Sequence, residues 1–209
     1  MSRHMDEARA VRNFWFGQLP LAAEALERRV RFWFGGDAAA LERRDELIRT
    51  RFGGLLERAA AGELASWADG PRRRLSLIVL FDQFPRHIYR GTARAFAYDA
   101  QALPLTLSGM QSAADAALDV VERIFFYMPM QHAESREVQD ESVAAYRRLR
   151  TEAPPGLRAT FEACLRSAEN HRSIIERFGR FPHRNRLLGR AAAAGELEWL
   201  KAGGESFGQ

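Results

Sequence analysis

The sequence predicts an all-α protein of seven to nine helices. Three observations point there. Apolar residues recur at helical spacing along almost the whole chain, period-two alternation is scarce, and the connections are short and marked by Gly and Pro. The 209 residues suit one domain, 1–209, with loose ends expected over about 1–6 and 202–209.

The first helix is expected over Asp6–Phe16, with Ala8, Val11 and Trp15 on one face and Gly17 as its stop. A second follows from Leu21 to Phe34, bounded by Pro20 and by Gly35-Gly36. Asp37 is a good N-cap for a third, whose stripe holds Leu41, Ile48, Phe52 and Leu55. A short helical piece fits Glu63–Trp67. Pro71 suits the first position of the next helix, 71–84, and "PRHIYRGTARAFAYD" reads as a loop. Asp99 reads as the cap of a further helix that Pro104 should shorten or kink. The apolar stretch "DVVERIFFYMPMQHAES" is interrupted by Pro129, and Ser135 can cap a helix to Leu149. After the turn "TEAPPG", a long helix spans Leu157–Phe178 and ends at Gly179. A short one fits Glu196–Lys201. "FWFG" occurs at 14–17 and 32–35 and "RFG" at 51–53 and 177–179, but no fixed period links them, so no repeat array is predicted.

Composition removes several functions. The single cysteine, Cys164, allows no internal disulfide and no Cys-based zinc site, and it reads as a small buried residue. No apolar run reaches the roughly 18 residues that span a bilayer, and the N-terminus shows no signal-peptide pattern. A cytoplasmic location is expected, with no membrane contact. The net charge is +4, but Lys201 is the only lysine. Richness in Arg, Ala and Gly together is read as coding bias. With no zinc-finger spacing and no RNA-binding signature, nucleic acid is not an expected partner. No P-loop, GxGxxG or GxSxG motif is present.

The candidate chemistry starts at Asp82. Leu75, Leu77, Ile78, Val79, Leu80, Phe81 and Phe84 cover nearly the whole circumference of helix 71–84, which marks it as a buried central helix. At about 100° per residue, Asp82 points into that apolar surround. A buried, unpaired carboxylate would cost several kcal/mol, so Asp82 needs a cationic or multi-donor partner. Arg86, His87 and Arg90 are near in sequence, and the C-terminal arginines are further candidates. In the helix 157–178, His171 and Arg172 fall within or at the edge of the apolar arc, while Glu162, Glu169 and Arg177 point away. Gly179 and Pro182 then end the helix and place Arg180, His183, Arg184, Asn185 and Arg186 on an irregular loop. Arginine forks suit carboxylate or phosphate oxygens, and Asp82 or Glu134 could equally take up those donors internally. His132 and Glu134 follow closely on the break at Pro129. His132, His171 and His183 with Asp82 and Glu134 lack the helical spacing of a His-Glu-x-x-His zinc site, so neither metal nor cofactor is predicted.

"FWFG", "IRTRFGGLLERAAAGEL", "LFDQFPRHIYRGTARAFAYD", "FFYMPMQHAE" and "HRSIIERFGRFPHRNRLLGR" resemble, in this order, the bacterial domain-of-unknown-function 924 family. The resemblance covers about residues 10–200. It implies a tetratricopeptide-like helical bundle or superhelix, and no activity, cofactor or site residue. The chain departs from the family pattern at Pro129–Glu134, where "PFMHSE" is usual. It departs again at Pro104, and at "AAAAGELE", which caps the last helix less well.

The reading that follows is a binding module for a peptide or small anionic ligand. Its candidate residues are Asp82, Arg86, Arg90, His132, Glu134, His171, Arg172, Arg177, Arg180, His183, Arg184 and Asn185. Two alternatives stand beside it. One is an enzyme using His132, His171 or His183 with Asp82 or Glu134 for acid–base chemistry. The other is an internal clamp, in which the same groups would be buried, mutually paired and closed to solvent. The sequence leaves the oligomeric state open.

Overall fold

The computed structural model describes residues 2–207. Among them are nine helices and no strand. They are α1 (Ser2–Phe16), α2 (Ala23–Phe34), α3 (Ala38–Ala60), α4 (in three parts, below), α5 (Asp99–Gln111), α6 (Val120–Gln131), α7 (Arg136–Glu152), α8 (Arg158–Phe178) and α9 (Ala194–Lys201). The all-α expectation therefore holds, and the count falls within its range.

Caps set several boundaries where the sequence places them. Asp37 accepts from the Ala40 amide at 2.8 Å, and Ser135 accepts from the Val138 amide at 3.4 Å. At α6 the Asp119 carboxylate takes the Val121 amide while Glu122 reaches back to the Asp119 amide, both at 2.9 Å. Gly179 ends α8 in the left-handed conformation, φ +70°, which a β-carbon disfavours.

α4 is the buried centre and differs from the expectation. It is α-helical over Pro71–Ile78, widens into a π turn over Val79–Gln83, and closes as α over Phe84–Ile88. The expected loop at 85–88 is thus a further helical turn. The reason is local. Pro85 has no amide hydrogen, and in a regular α-helix its ring would meet the carbonyl four residues back. The extra residue in the π turn, marked by the Phe84 amide bonding to the Val79 carbonyl, moves that carbonyl away. Pro104 likewise fails to shorten its helix, since α5 runs through it to Gln111.

Around α4 lies one large apolar core. Trp15, Trp33, Phe84 and Phe125 meet edge-to-face or tilted, with Trp15–Phe84 centroids 5.6 Å and Trp33–Phe125 centroids 4.6 Å apart. The two "FWFG" echoes fall here, and the Trp33 indole donates to the Trp15 carbonyl at 2.9 Å. A smaller cluster of Ile174, Ile175 and Phe181, with Phe178, Trp199 and Phe207 against it, joins α8 to α9 and the tail. The polar site lies between these two apolar bodies.

Candidate functional site

The site is built on the π turn of α4. Asp82 is fully buried there. One carboxylate oxygen lies 2.6 Å from His132 Nδ1, and the other accepts from the Gln83 amide nitrogen at 2.6 Å. His132 caps the C-terminus of α6, just beyond Pro129. Arg86, one turn along α4, donates to the Asp82 carbonyl at 2.6 Å and lies 3.6 Å from its carboxylate. Burial opposes the Asp82 charge, but His132, Arg86 and the Gln83 bond outweigh it and hold the carboxyl below its ordinary value. Burial, then the Arg86 charge, keep the His132 imidazole below its ordinary value. A neutral His132 donates Nδ1–H to Asp82, which leaves Nε2 as an acceptor. Nε2 has no protein partner among the described residues.

Arg86 extends the network outward. It forms a two-pronged pair with Asp99, at 2.8 and 3.0 Å, and Arg184 shares the same carboxylate at 3.4 Å. Asp99 was expected to be a helix cap. It is instead the first residue of α5, where its charge suits the helix dipole, and its oxygens face the arginines. Arg184 is 6% exposed and lies between two rings, 4.7 Å above Phe96 and 4.5 Å above Phe181. Burial and the nearby Arg86 charge lower its pKa to about 10, so it stays charged at neutral pH.

The loop after α8 is tied down by other carboxylates. Glu134 accepts the Phe181 amide at 2.8 Å and takes Arg190 at 2.7 and 3.0 Å. Glu196 takes Arg180 through two bonds of 2.7 Å, Asn185 at 3.1 Å, and the Ala193 amide at 2.7 Å. That last bond gives α9 half of a capping box; Ala193 carries no side-chain oxygen to complete it. Phe181 is extended before Pro182, at φ −90° and ψ 106°, as the sequence predicts.

Three imidazoles and three rings gather inside this frame. His132 and His171 have centroids 6.0 Å apart. His171 is buried, and its Nδ1 donates to the Ser167 carbonyl at 2.8 Å. Burial, then the nearby His132, push its pKa down to about 3; burial and Arg184 do the same for His183. Phe207, from the segment after α9, stacks on His171 at 3.8 Å with the planes 23° apart. It also lies 5.5 Å from His183 and 6.3 Å from Phe181. The end expected to be loose thus reaches the site at Phe207, while residues 208–209 lie outside the described residues. Beneath it, on the single turn Pro182–Arg184, His183 Nδ1 and Arg184 Nε are buried without a partner among the described residues.

The candidate residues therefore divide. Asp82, Arg86, His132, His171, His183 and Arg184 come together, while Glu134, Arg180 and Asn185 frame them. Three others sit elsewhere. Arg90 pairs with Asp45 at 2.6 Å, not with Asp82, because the π turn and the helical turn after it carry His87 and Arg90 toward α3. Arg172 lies at the edge of its apolar arc and binds Asp140 and Glu176 on the surface, so it does not enter the core. Arg177 is exposed, 4.8 Å over the Phe178 ring. Sequence reasoning missed Asp99, Gln83, Arg190, Glu196 and Phe207 as members. Only Phe207 left a signal, as a lone large apolar residue in a Gly-rich tail. Cys164 is half-buried, and burial pushes its thiol up to about 12. Among the described residues no group of three or more His, Cys, Asp or Glu is placed to hold a metal ion. No helix among them is long and apolar enough to cross a membrane.

Fold and site define an all-helical protein with a buried carboxylate–imidazole–guanidinium cluster under an aromatic strap. The chain belongs to the family described as bacterial protein of unknown function (DUF924), which matches residues 11–204. It is similar to the solved structure of a protein of unknown function, ATU0120, from Agrobacterium tumefaciens. The two are 33% identical with a TM-score of 0.76, covering 93% of this chain and 97% of the other. No functionally curated protein matches it.

Proposed function

We propose that this protein is a cytoplasmic binding module of tetratricopeptide-like helical architecture. Its enclosed cluster takes a small ligand through an anionic or strongly accepting group. One observation carries this reading. Arg184 Nε and His183 Nδ1 are buried neighbours that no protein group satisfies. A buried donor left unsatisfied costs about 1–3 kcal/mol, and a ligand oxygen that accepts from Arg184 Nε–H, and from His183 in its Nδ1–H tautomer, relieves that cost. The surrounding arginines are already committed. Arg86 holds Asp99, Arg180 holds Glu196 and Arg190 holds Glu134. These pairs act as the internal clamp that sets the geometry, so ligand recognition falls to Arg184 and the imidazoles rather than to the arginines as a group. A free peptide terminus or a small carboxylate meets the same requirement.

Thermal melting of the full chain in inorganic phosphate or acetate tests the reading. A saturable rise in Tm is expected, lost in Arg184→Gln and kept in Arg177→Gln, whose side chain is exposed over the Phe178 ring. Equal behaviour of both variants, or no rise at all, would contradict it.

The 2.6 Å Asp82–His132 contact supports a second reading, acid–base chemistry with His132 as the base and Asp82 orienting it. Any turnover found should then fall about 10²–10⁴-fold in His132→Ala, and unchanged turnover would remove it.

A further inference from the structure

The segment after α9 shows what shape of ligand the site accepts. Ala202–Phe207 turns back over Trp199, where a β-carbon at Gly204 would sit 2.5 Å from the indole ring. It then delivers one side chain, Phe207, into the ring-lined space between His171, His183 and Phe181. The His171–Phe207 contact is a parallel stack at 3.8 Å, the closest ring pair of the cluster. The slot therefore selects a flat ring. Phe207 itself is held at φ +53°, in the left-handed region that a β-carbon disfavours. Its backbone is thus strained in the docked position, which favours release. Phe207 meets the rings of His171, His183 and Phe181. It offers no oxygen to Arg184 Nε or His183 Nδ1, which remain without a partner.

Resting on the binding reading above, we propose that the ligand is an aromatic ring bearing a carboxylate or similar anion. The ring replaces Phe207 on His171, and the anion lies on Arg184 and His183. Phe207 is then an internal competitor that occupies the ring slot when the ligand is absent. A neutral aromatic leaves the two polar groups unsatisfied, and a small anion without a ring reaches them but leaves Phe207 in place and gains nothing from the ring slot. The aromatic anion alone gains from both.

Calorimetric titration of the full chain with phenylacetate and with acetate tests this. Phenylacetate is expected to bind Phe207→Ala about tenfold more tightly than wild type, the scale of one aromatic stack. Acetate should bind the two alike, and Arg184→Gln should weaken phenylacetate in both backgrounds. In wild type, saturating phenylacetate should also shift the His171 ring-proton resonances as Phe207 leaves the stack, a readout independent of the Phe207 variant. Equal or weaker phenylacetate binding by Phe207→Ala, with His171 resonances that stay put, overturns the proposal. If acetate still binds in an Arg184-dependent way, only the aromatic inference falls. If neither probe binds, the anion-binding reading falls with it.

Discussion

Two carboxylate–imidazole pairs lie along α4, and they differ in what surrounds them. Asp82 meets His132 Nδ1 at 2.6 Å inside the cluster; Asp45 on α3 meets His87 Nδ1 at 2.7 Å. By contact geometry the two are twins. Asp45, however, also takes Arg90 through bonds of 2.6 and 3.1 Å, and its pair borders a cleft of about 930 Å³ with Glu42, Glu46 and Arg49 on its walls. Burial opposes the Asp45 charge, yet the His87 and Arg90 bonds hold its carboxyl down to about 2. His87 donates Nδ1–H to Asp45, so the Arg90 nitrogen 3.2 Å away from that atom cannot also donate to it. Water in the cleft can reach the partly exposed Arg90. Asp82 itself is fully buried, and in its region His183 Nδ1 and Arg184 Nε have no protein partner among the described residues, as Arg44 Nε has none beside Asp45. A carboxylate–imidazole contact alone thus does not mark a site; what sets the Asp82 region apart is the ring slot that Phe207 occupies between His171, His183 and Phe181.

The two regions should differ most when their carboxylates are removed. Asp99→Ala leaves Arg86 and Arg184 buried with their main counter-charge gone, and a loss of about 3–5 kcal/mol is expected in urea unfolding. Asp45→Ala leaves Arg90, whose side chain is 28% exposed, able to reach cleft water. A smaller loss of about 1–3 kcal/mol is expected there. Equal losses would mean that enclosure does not separate the two regions.

Acid sharpens the contrast on a smaller scale. The folded-state pKa of His171, about 3, lies below the unfolded value of about 6.5, so the unfolded chain binds the proton more readily. Its stabilising contribution is complete above about pH 6.5 and is lost as pH falls from there toward 3, with a slope of about 1.4 kcal/mol per pH unit. His171→Phe should flatten the stability–pH curve between pH 6.5 and 5. Burial also lowers His87, but its Asp45 bond opposes the shift, so His87→Phe should flatten the curve less. The reverse order would place the stronger desolvation in the cleft.

Much of this frame is legible in the sequence. Asp37, Ser135 and Gly179 announce helix ends because caps are local chemistry, readable within four residues. The all-round apolar pattern of 75–84 made α4 central and Asp82 anomalous by simple geometry. The partners were harder to read, because a buried charge states its need for a counter-ion without naming one. Asp82 found His132, 50 residues away, and Arg86 and Arg184 converged on Asp99. The sequence order of Arg86, His87 and Arg90 misled because Pro85 forces a π turn, which changes the direction of every side chain after it. Phe207 was invisible to periodicity, since a single docked residue has no period.

The most direct measurement is the Nε–H resonance of Arg184 in the full chain labelled with ¹⁵N-arginine, followed during titration with phenylacetate. A saturable shift of that one resonance, with the Arg177 signal unmoved, is the predicted result. An Arg184 Nε–H signal that stays fixed at saturating phenylacetate, in a chain that remains folded, would contradict the binding account at its centre.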